Sequence, residues 1–193
     1  MLYIIMGKSS SGKDTIYRRL TCDEKYMLNR VVTYTTRPMR ENEVQGREYH
    51  FVGEDEMRRL ENAGKVVERR TYDTVYGEWH YFTVDDGSWN IDDKDYVIIG
   101  TLESYEEIAK YFGENRVKPV YVQVDDGVRL ERALARERCE KQPKYAEMCR
   151  RFLADEEDFK EENLRRLGIE KRFDNIDIEE CIKDICEYMN LLR

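Results

Sequence analysis

Histidine is scarce in this 193-residue chain, which has only two, and its five cysteines, Cys22, Cys139, Cys149, Cys181 and Cys186, form an odd set with no Cys-x-x-Cys spacing. That inventory suits neither a transition-metal centre nor a disulfide framework, so reduced thiols are expected. Long hydrophobic runs are lacking too. The apolar start, residues 1–6, has no basic leader or cleavage site, and no stretch approaches the length of a membrane span. Net positive charge is absent as well: a formal charge of -8 disfavours nucleic acid and anionic membrane as partners, because both are polyanions. The expectation is a cytoplasmic protein that binds neither, on which any anion site is local. What is present in quantity is charge, at 38 % of residues, and tyrosine, fourteen in all, which argue for a soluble folded chain rather than a disordered one. The length suits one sizeable core with inserted subdomains.

Residues 2–6 are short, apolar and β-prone and run straight into a glycine-bounded loop and a helical pattern at 15–20, in the order strand, loop, helix. A second strand is expected at 30–34, ending in a basic, turn-rich segment at 35–46. Residues 54–62 have helical spacing, with Met57 and Leu60 inward and Gly64 as a stop. Strands at 66–72 and 79–84, then an acidic loop at 85–95, make the middle third a small strand-rich insertion. Apolar runs at 96–99 and 119–124 are each followed by a helical segment, at 104–112 and 128–138, so the fold class is α/β with a parallel sheet. Residues 144–167 suit one long helix or two that move as a lid. The positions Ile178, Cys181, Ile182, Ile185, Cys186, Met189 and Leu192 keep the 3.6-residue spacing of a terminal helix packed on the core.

The strand-to-helix turn reads Gly7-Lys8-Ser9-Ser10-Ser11-Gly12-Lys13. Its glycines let the backbone curl until successive N–H groups point inward, and the following helix adds its positive end, so ATP or another triphosphate is the natural occupant. Lys13 is placed to bridge the β- and γ-phosphates. Where such loops ask for a magnesium-binding hydroxyl this chain has Asp14, followed by Thr15; a carboxylate there can hold Mg2+ directly or through water. An ordinary serine-glycine turn with Asp14 capping the helix is the alternative.

The segment 33–51 places Arg37 and Arg40 three apart and Tyr49 nine further on, inside an acidic protein. Arginine forks recognise phosphate bidentately and a tyrosine hydroxyl can donate to the same group, which implies a second phosphate site; a solvated basic loop is the competing reading. Here the sequence resembles the guanylate kinase family, from the loop at Gly7 to the helix near Asp177, with 33–51 looking like that family's monophosphate-binding signature. The resemblance implies a P-loop kinase core at 1–32, 95–130 and 170–193, a monophosphate-binding insertion at 33–84 and a lid at 131–165. It also implies Mg-ATP as donor and GMP or dGMP as acceptor, in a monomer or homodimer. Carried over by position, Arg37, Arg40, Tyr49 and Tyr76 would hold the acceptor phosphate. Thr33 and Glu68 would meet the base, since a carboxylate can accept from guanine N1–H and its exocyclic amino group together. Arg132, Arg136 and Arg151 would close over the transferring group, and Asn175 would face adenine.

The chain also departs from the family. An Asp-x-Asp pair used for base recognition and magnesium ordering is replaced by Ile99 and Thr101, so Thr101 is carried over as a substrate-binding residue and either Asp14 or Thr101 orders the metal, and Glu78 stands where a small hydroxyl residue helps bind guanine. A branch resembling ribose 1,5-bisphosphate kinases shares an aspartate after the loop lysine and a Gly-hydroxyl pair like Gly100-Thr101. A non-catalytic guanylate-kinase-like binding module is the other alternative. His50 and His80 are read as packing or hydrogen-bonding groups, because an ionised phosphate acceptor needs no base. Trp79 and Trp89 are read as core or hairpin partners, and the acidic stretches, 155–158 among them, as solvated surface.

Overall fold

Side chains alternate along β1 (Leu2–Met6), and this alternation decides the architecture. Leu2, Ile4 and Met6 enter one buried cluster with Ile98, Ile108 and Leu164, while Tyr3 and Ile5 join Ile16, Leu20, Val97, Val120, Val122, Phe173, Ile182 and Ile185 in another. A strand buried on both faces belongs in the middle of a parallel sheet covered by helices on each side. β1 accordingly lies between β7 (Tyr96–Ile99) and β8 (Val117–Gln123), and β2 (Asn29–Arg30) and β9 (Arg172–Asp174) flank them in the order β2-β7-β1-β8-β9, parallel throughout. Helices α1 (Lys13–Cys22) and α7 (Ile178–Leu191) cover one face; α3 (Leu102–Phe112) and α6 (Glu161–Arg166) cover the other. The structure, a computed structural model, describes residues 1–23, 26, 28–74 and 77–191. Tyr76 and Leu192 lie outside the described residues.

A second sheet has the order β4 (His50–Phe51), β3 (Tyr34–Thr35), β6 (Gly77–Val84), β5 (Val66–Thr74), with β3 parallel to β4 and the other pairs antiparallel. Helix α2 (Glu54–Asn62) lays Met57 and Leu60 on Phe82 and Val84 of this sheet, and β5 also packs on α3, which ties the two sheets together. The strand expected at 30–34 divides between the sheets: Asn29 and Arg30 pair with Tyr96 and Val97, whereas Tyr34 and Thr35 pair with Phe82 and Tyr81. β-Propensity announced an extended segment, but pairing partners far along the chain decide to which sheet each end belongs. Residues 144–167 form two helices, α5 (Tyr145–Asp158) and α6; between them Phe159 is buried and stacks on Tyr121 with ring centroids 5.6 Å apart. Helix α4 (Asp126–Arg138) starts at Asp125, whose carboxylate accepts from the N–H groups of Gly127 and Val128.

Gly100 ends β7 where the sheet meets α3. A Cβ there would lie 2.6 Å from Ser104 Oγ and 2.9 Å from Ile4 Cγ2. Ser104 is fixed by a capping box with Thr101, in which each side chain accepts from the other residue's N–H. Gly100→Ala should therefore overpack this corner and lower stability by about 1–3 kcal/mol; urea denaturation with an unchanged midpoint would contradict that.

Candidate active site

The loop from Gly7 to Lys13 is held in its curl from behind. A Cβ at Gly7 would come within 2.2 Å of the Val122 carbonyl, and one at Gly12 within 2.1 Å of Asn175 Nδ2, so the loop lies flush on β8 and on the turn after β9. Ser10 takes a left-handed backbone with φ 63, a conformation that turns successive N–H groups inward. Gly12 is the N-cap of α1 and supplies no side-chain cap; the Thr15 N–H turns back to the Gly12 carbonyl at 3.0 Å, which leaves the N–H groups before it for an external acceptor. Asp14 does not cap the helix; it is exposed in the first turn and makes no hydrogen bond among the described residues. Thr15 follows it, half-buried.

Lys13 lies in this curl, its Nζ reaching the Lys8 carbonyl at 3.5 Å. Burial lowers its pKa below the ordinary lysine value, Asp14 and Asp155 oppose that shift, and Arg151 and Arg136 add to it. Two of the three expected lid arginines therefore share Lys13's surroundings. Arg151 Nη2 also donates to Ser9 Oγ at 3.3 Å, and Arg136 lines the same cleft as Ser9 and Ser10. Arg132 lies against Gly12, where a Cβ would be 3.8 Å from its Nη1, and donates to the Asn175 carbonyl at 3.1 Å. Asn175 is buried, and its amide donates to the Ser11 carbonyl at 2.7 Å. In this geometry both residues brace the loop.

The acidic stretch 155–158, expected as solvated surface, is not all surface. The N–H of Ser9 donates to Asp155 Oδ2 at 2.7 Å, and Lys8 Nζ donates to Glu156 Oε1 at 2.7 Å. Beneath them Arg129, 1 % exposed, pairs with Asp126 and Glu156 at 3.1 Å each and lies 4.5 Å under the Phe152 ring. Carboxylates of α5 thus hold donors of the phosphate loop. Neither Asp155 nor Arg129 was visible as a site residue in sequence, because what brings them there is the docking of α5 and α4 on a loop some 146 residues away.

The second set gathers on the small sheet. Arg37, 3 % exposed, donates to both oxygens of Glu43, at 2.9 and 2.7 Å, and sits 5.6 Å over the Tyr49 ring. Burial works against the Arg37 charge, but the hydrogen bonds and charge of Glu43 together with Tyr81 raise its pKa; the Arg37 hydrogen bonds lower that of Glu43. Arg40 is exposed, and its backbone N–H donates to Glu43 at 2.8 Å. Tyr49 packs edge-on against Tyr81, with ring centroids 5.6 Å apart. Glu68 is buried and accepts from Thr83 Oγ1 at 2.7 Å and from Arg70 Nε at 3.1 Å. Thr33 contributes a carbonyl to His50 N–H. Thr101 is the N-cap of α3, its hydroxyl accepting from Ser104 N–H. Glu43, Arg70 and Thr83 escaped the sequence reading, although Glu43 lies in the basic segment and Arg70 is two residues from Glu68, hence on the same strand face.

His80 bonds Thr71 through Nδ1, His50 stacks on Tyr34, and Trp89 is buried against Phe112 with its indole N–H on the Val84 carbonyl. Their packing roles leave the two clusters above as the site. Residues 1–86 match the family model described as guanylate kinase. Toward its amino terminus the chain is similar in sequence to guanylate kinases, and its fold is similar to that of a solved one throughout. It is 32 % identical over 115 residues to a guanylate kinase of Porphyromonas gingivalis, covering 58 % of this chain and 60 % of that protein. It is also 38 % identical over 77 residues to one of Pseudomonas fluorescens, covering 39 % and 37 %. The chain therefore spans less than two thirds of the curated relatives it matches. A solved guanylate kinase from Anaplasma phagocytophilum superposes with a TM-score of 0.60 at 17 % identity, over all of this chain and 84 % of that one, so the two share a fold.

If the α5 carboxylates and phosphates compete for the same loop donors, weakening one should strengthen the other. Asp155→Asn is expected to tighten tripolyphosphate binding by about 1 kcal/mol, roughly fivefold, measured by calorimetry; weaker binding would show that Asp155 supports the loop instead.

Proposed function

We propose that this protein transfers the γ-phosphoryl group of ATP to a guanine mononucleotide, GMP or dGMP, giving GDP or dGDP. The observation that carries the reading is that the chain holds two phosphate-competent sets: Lys13, Arg136 and Arg151 around the loop before α1, and Arg37 with Tyr49, followed by Arg40, on the small sheet. One phosphate loop alone would suit any nucleotide hydrolase. Two phosphate sites suit transfer between phosphates. The guanine assignment is supported by the buried carboxylate of Glu68 on the same sheet, and by the names of the sequence relatives.

In this reading the core is 1–32, 95–130 and 170–193, the insertion 33–84 binds the acceptor, and the segment 131–165 closes as a lid. The phosphate loop binds the donor through its N–H groups and Lys13, while Arg37, Arg40 and Tyr49 hold the acceptor phosphate. Arg136 and Arg151 neutralise charge on the equatorial oxygens and exclude water. Arg132 and Asn175 hold the loop that carries the donor. Magnesium would be held by Asp14 and Thr15 with phosphate oxygens and water. The exposed Asp14 carboxylate fits that role, and no group of three acidic, histidine or cysteine side chains among the described residues offers a full protein cage. Bound there, the ion would screen charge between the β- and γ-phosphates. The acceptor phosphate is already a nucleophile, so no residue needs to act as base. Among the described residues no helix is long and apolar enough to cross a membrane, and we place the activity in the cytoplasm, in a monomer or homodimer.

With Mg-ATP and a panel of GMP, dGMP, AMP, CMP and UMP, ADP release is expected only with the guanine nucleotides; a response to AMP equal to that to GMP would overturn the base assignment. Arg40→Ala should raise the KM for GMP by roughly 1.5–3 kcal/mol in binding terms, with the KM for ATP unchanged. An unaltered GMP constant would remove Arg40 from the acceptor clamp.

A further inference from the structure

The base end of the acceptor site holds a group for which the reading above has no use. Arg70, 15 % exposed at its side chain, lies beside Glu68, 2 % exposed, and grips it side-on: Nε donates to Oε2 at 3.1 Å and Nη2 to Oε1 at 3.4 Å. Thr83, which faces Glu68 across the β5–β6 ladder, donates to Oε1 at 2.7 Å. Arg70 itself faces Tyr81 in that ladder, and Tyr81 packs on Tyr49 at 5.6 Å. The guanidinium therefore stands on the acceptor face of the sheet, between Glu68 and the aromatic wall of the phosphate clamp.

A carboxylate offers about four lone-pair directions and a guanidinium five N–H donors. Three of the former are engaged here, and two of the latter. Guanine brings two adjacent donors, the exocyclic amino group and N1–H, followed along the same edge by the acceptor O6. For Glu68 to accept both donors, one existing bond has to yield, and the longest is Arg70 Nη2 at 3.4 Å. The N–H so released adjoins the position that N1–H takes, which is where O6 lies. Arginine to guanine O6 is a favoured pairing for geometric reasons. Meanwhile Nε keeps its bond to Glu68 and offsets the cost of a buried carboxylate. Glu78, in the place of a small hydroxyl residue expected to help bind the base, sits five rungs from the Glu68–Thr83 pair and is exposed.

We propose that Arg70 is a specificity-determining residue that donates to O6 of the acceptor base, so that Glu68 and Arg70 together present an acceptor, acceptor, donor array complementary to guanine. The inference rests on the guanine-nucleotide reading. Adenine, with an acceptor at N1 and a donor at position 6, mismatches that array at both places.

The test compares three ligands by calorimetry without ATP: GMP, 6-thio-GMP, whose sulfur is a poor acceptor in the place of O6, and IMP, which lacks the exocyclic amino group. The wild-type protein should prefer GMP over 6-thio-GMP by about tenfold. Arg70→Met should bring that ratio close to one while leaving the GMP to IMP ratio, read by Glu68, in place. Arg70→Lys keeps a charge beside Glu68 but lacks a planar fork able to serve two partners; it should retain the melting temperature and lose most of the 6-thio-GMP discrimination. An unchanged 6-thio-GMP ratio in Arg70→Lys, or equal loss of both ratios in Arg70→Met with its fold intact, overturns the role of Arg70. ADP release on adding Mg-ATP and GMP separates the two claims: GMP that binds but is not phosphorylated overturns the kinase reading alone, and GMP that neither binds nor reacts overturns both.

Discussion

Cations gathered for phosphate repel one another, and in this protein carboxylates neutralise them. Asp155 and Glu156 engage the phosphate loop at Ser9 and Lys8, Glu43 engages Arg37, and Glu68 pairs with Arg70. The rest of the structure depends on this arrangement. Without it, loop and sheet would each hold unpaired buried charge, costly in a medium of low dielectric. With it, a chain of net charge -8 carries local positive sites that stay folded. Binding a polyanion then becomes an exchange of one set of oxygens for another, which favours a ligand with more oxygens and better geometry than a side chain has.

The scaffold serves that exchange through rigid placement. β1 is buried on both faces and delivers the loop at its carboxyl end, Gly7 and Gly12 let the loop lie against β8 and Asn175, and Arg132 holds Asn175 by its carbonyl. The acceptor set rests on a separate sheet joined to the core through β5 on α3. α5 carries both a cation that meets the loop, Arg151 on Ser9, and a carboxylate that accepts from its backbone, Asp155. In the proposed mechanism one helix would therefore link closing of a lid to what occupies the loop.

How much of this was legible in the sequence follows from the range of each interaction. The strand, loop and first helix could be read because the spacing from Gly7 to Lys13 and its neighbours is local, and the α/β class followed from runs buried on both faces. Arg37, Arg40 and Tyr49 stood out as a basic cluster in an acidic chain. Their partners did not. Asp155 reaches Ser9 only through the docking of α5, and an acidic run on a helix looks the same in sequence whether it faces water or a loop. The split of 30–34 between sheets was hidden likewise, since propensity marks extended chain but not its neighbour. The bond from the Asn175 amide to the Ser11 carbonyl was hidden too, since only the end of β9 brings the two together.

The central claim is that donor and acceptor phosphates lie in line across one site, with guanine at the acceptor end. Calorimetric binding of a dinucleotide in which adenosine and guanosine are joined through five phosphates tests it most directly, because a ligand spanning both sites gains from effective concentration. The account predicts binding at least about a hundredfold tighter than that of ATP or GMP alone, and tighter than that of the diadenosine analogue. Binding no tighter than that of ATP would contradict it.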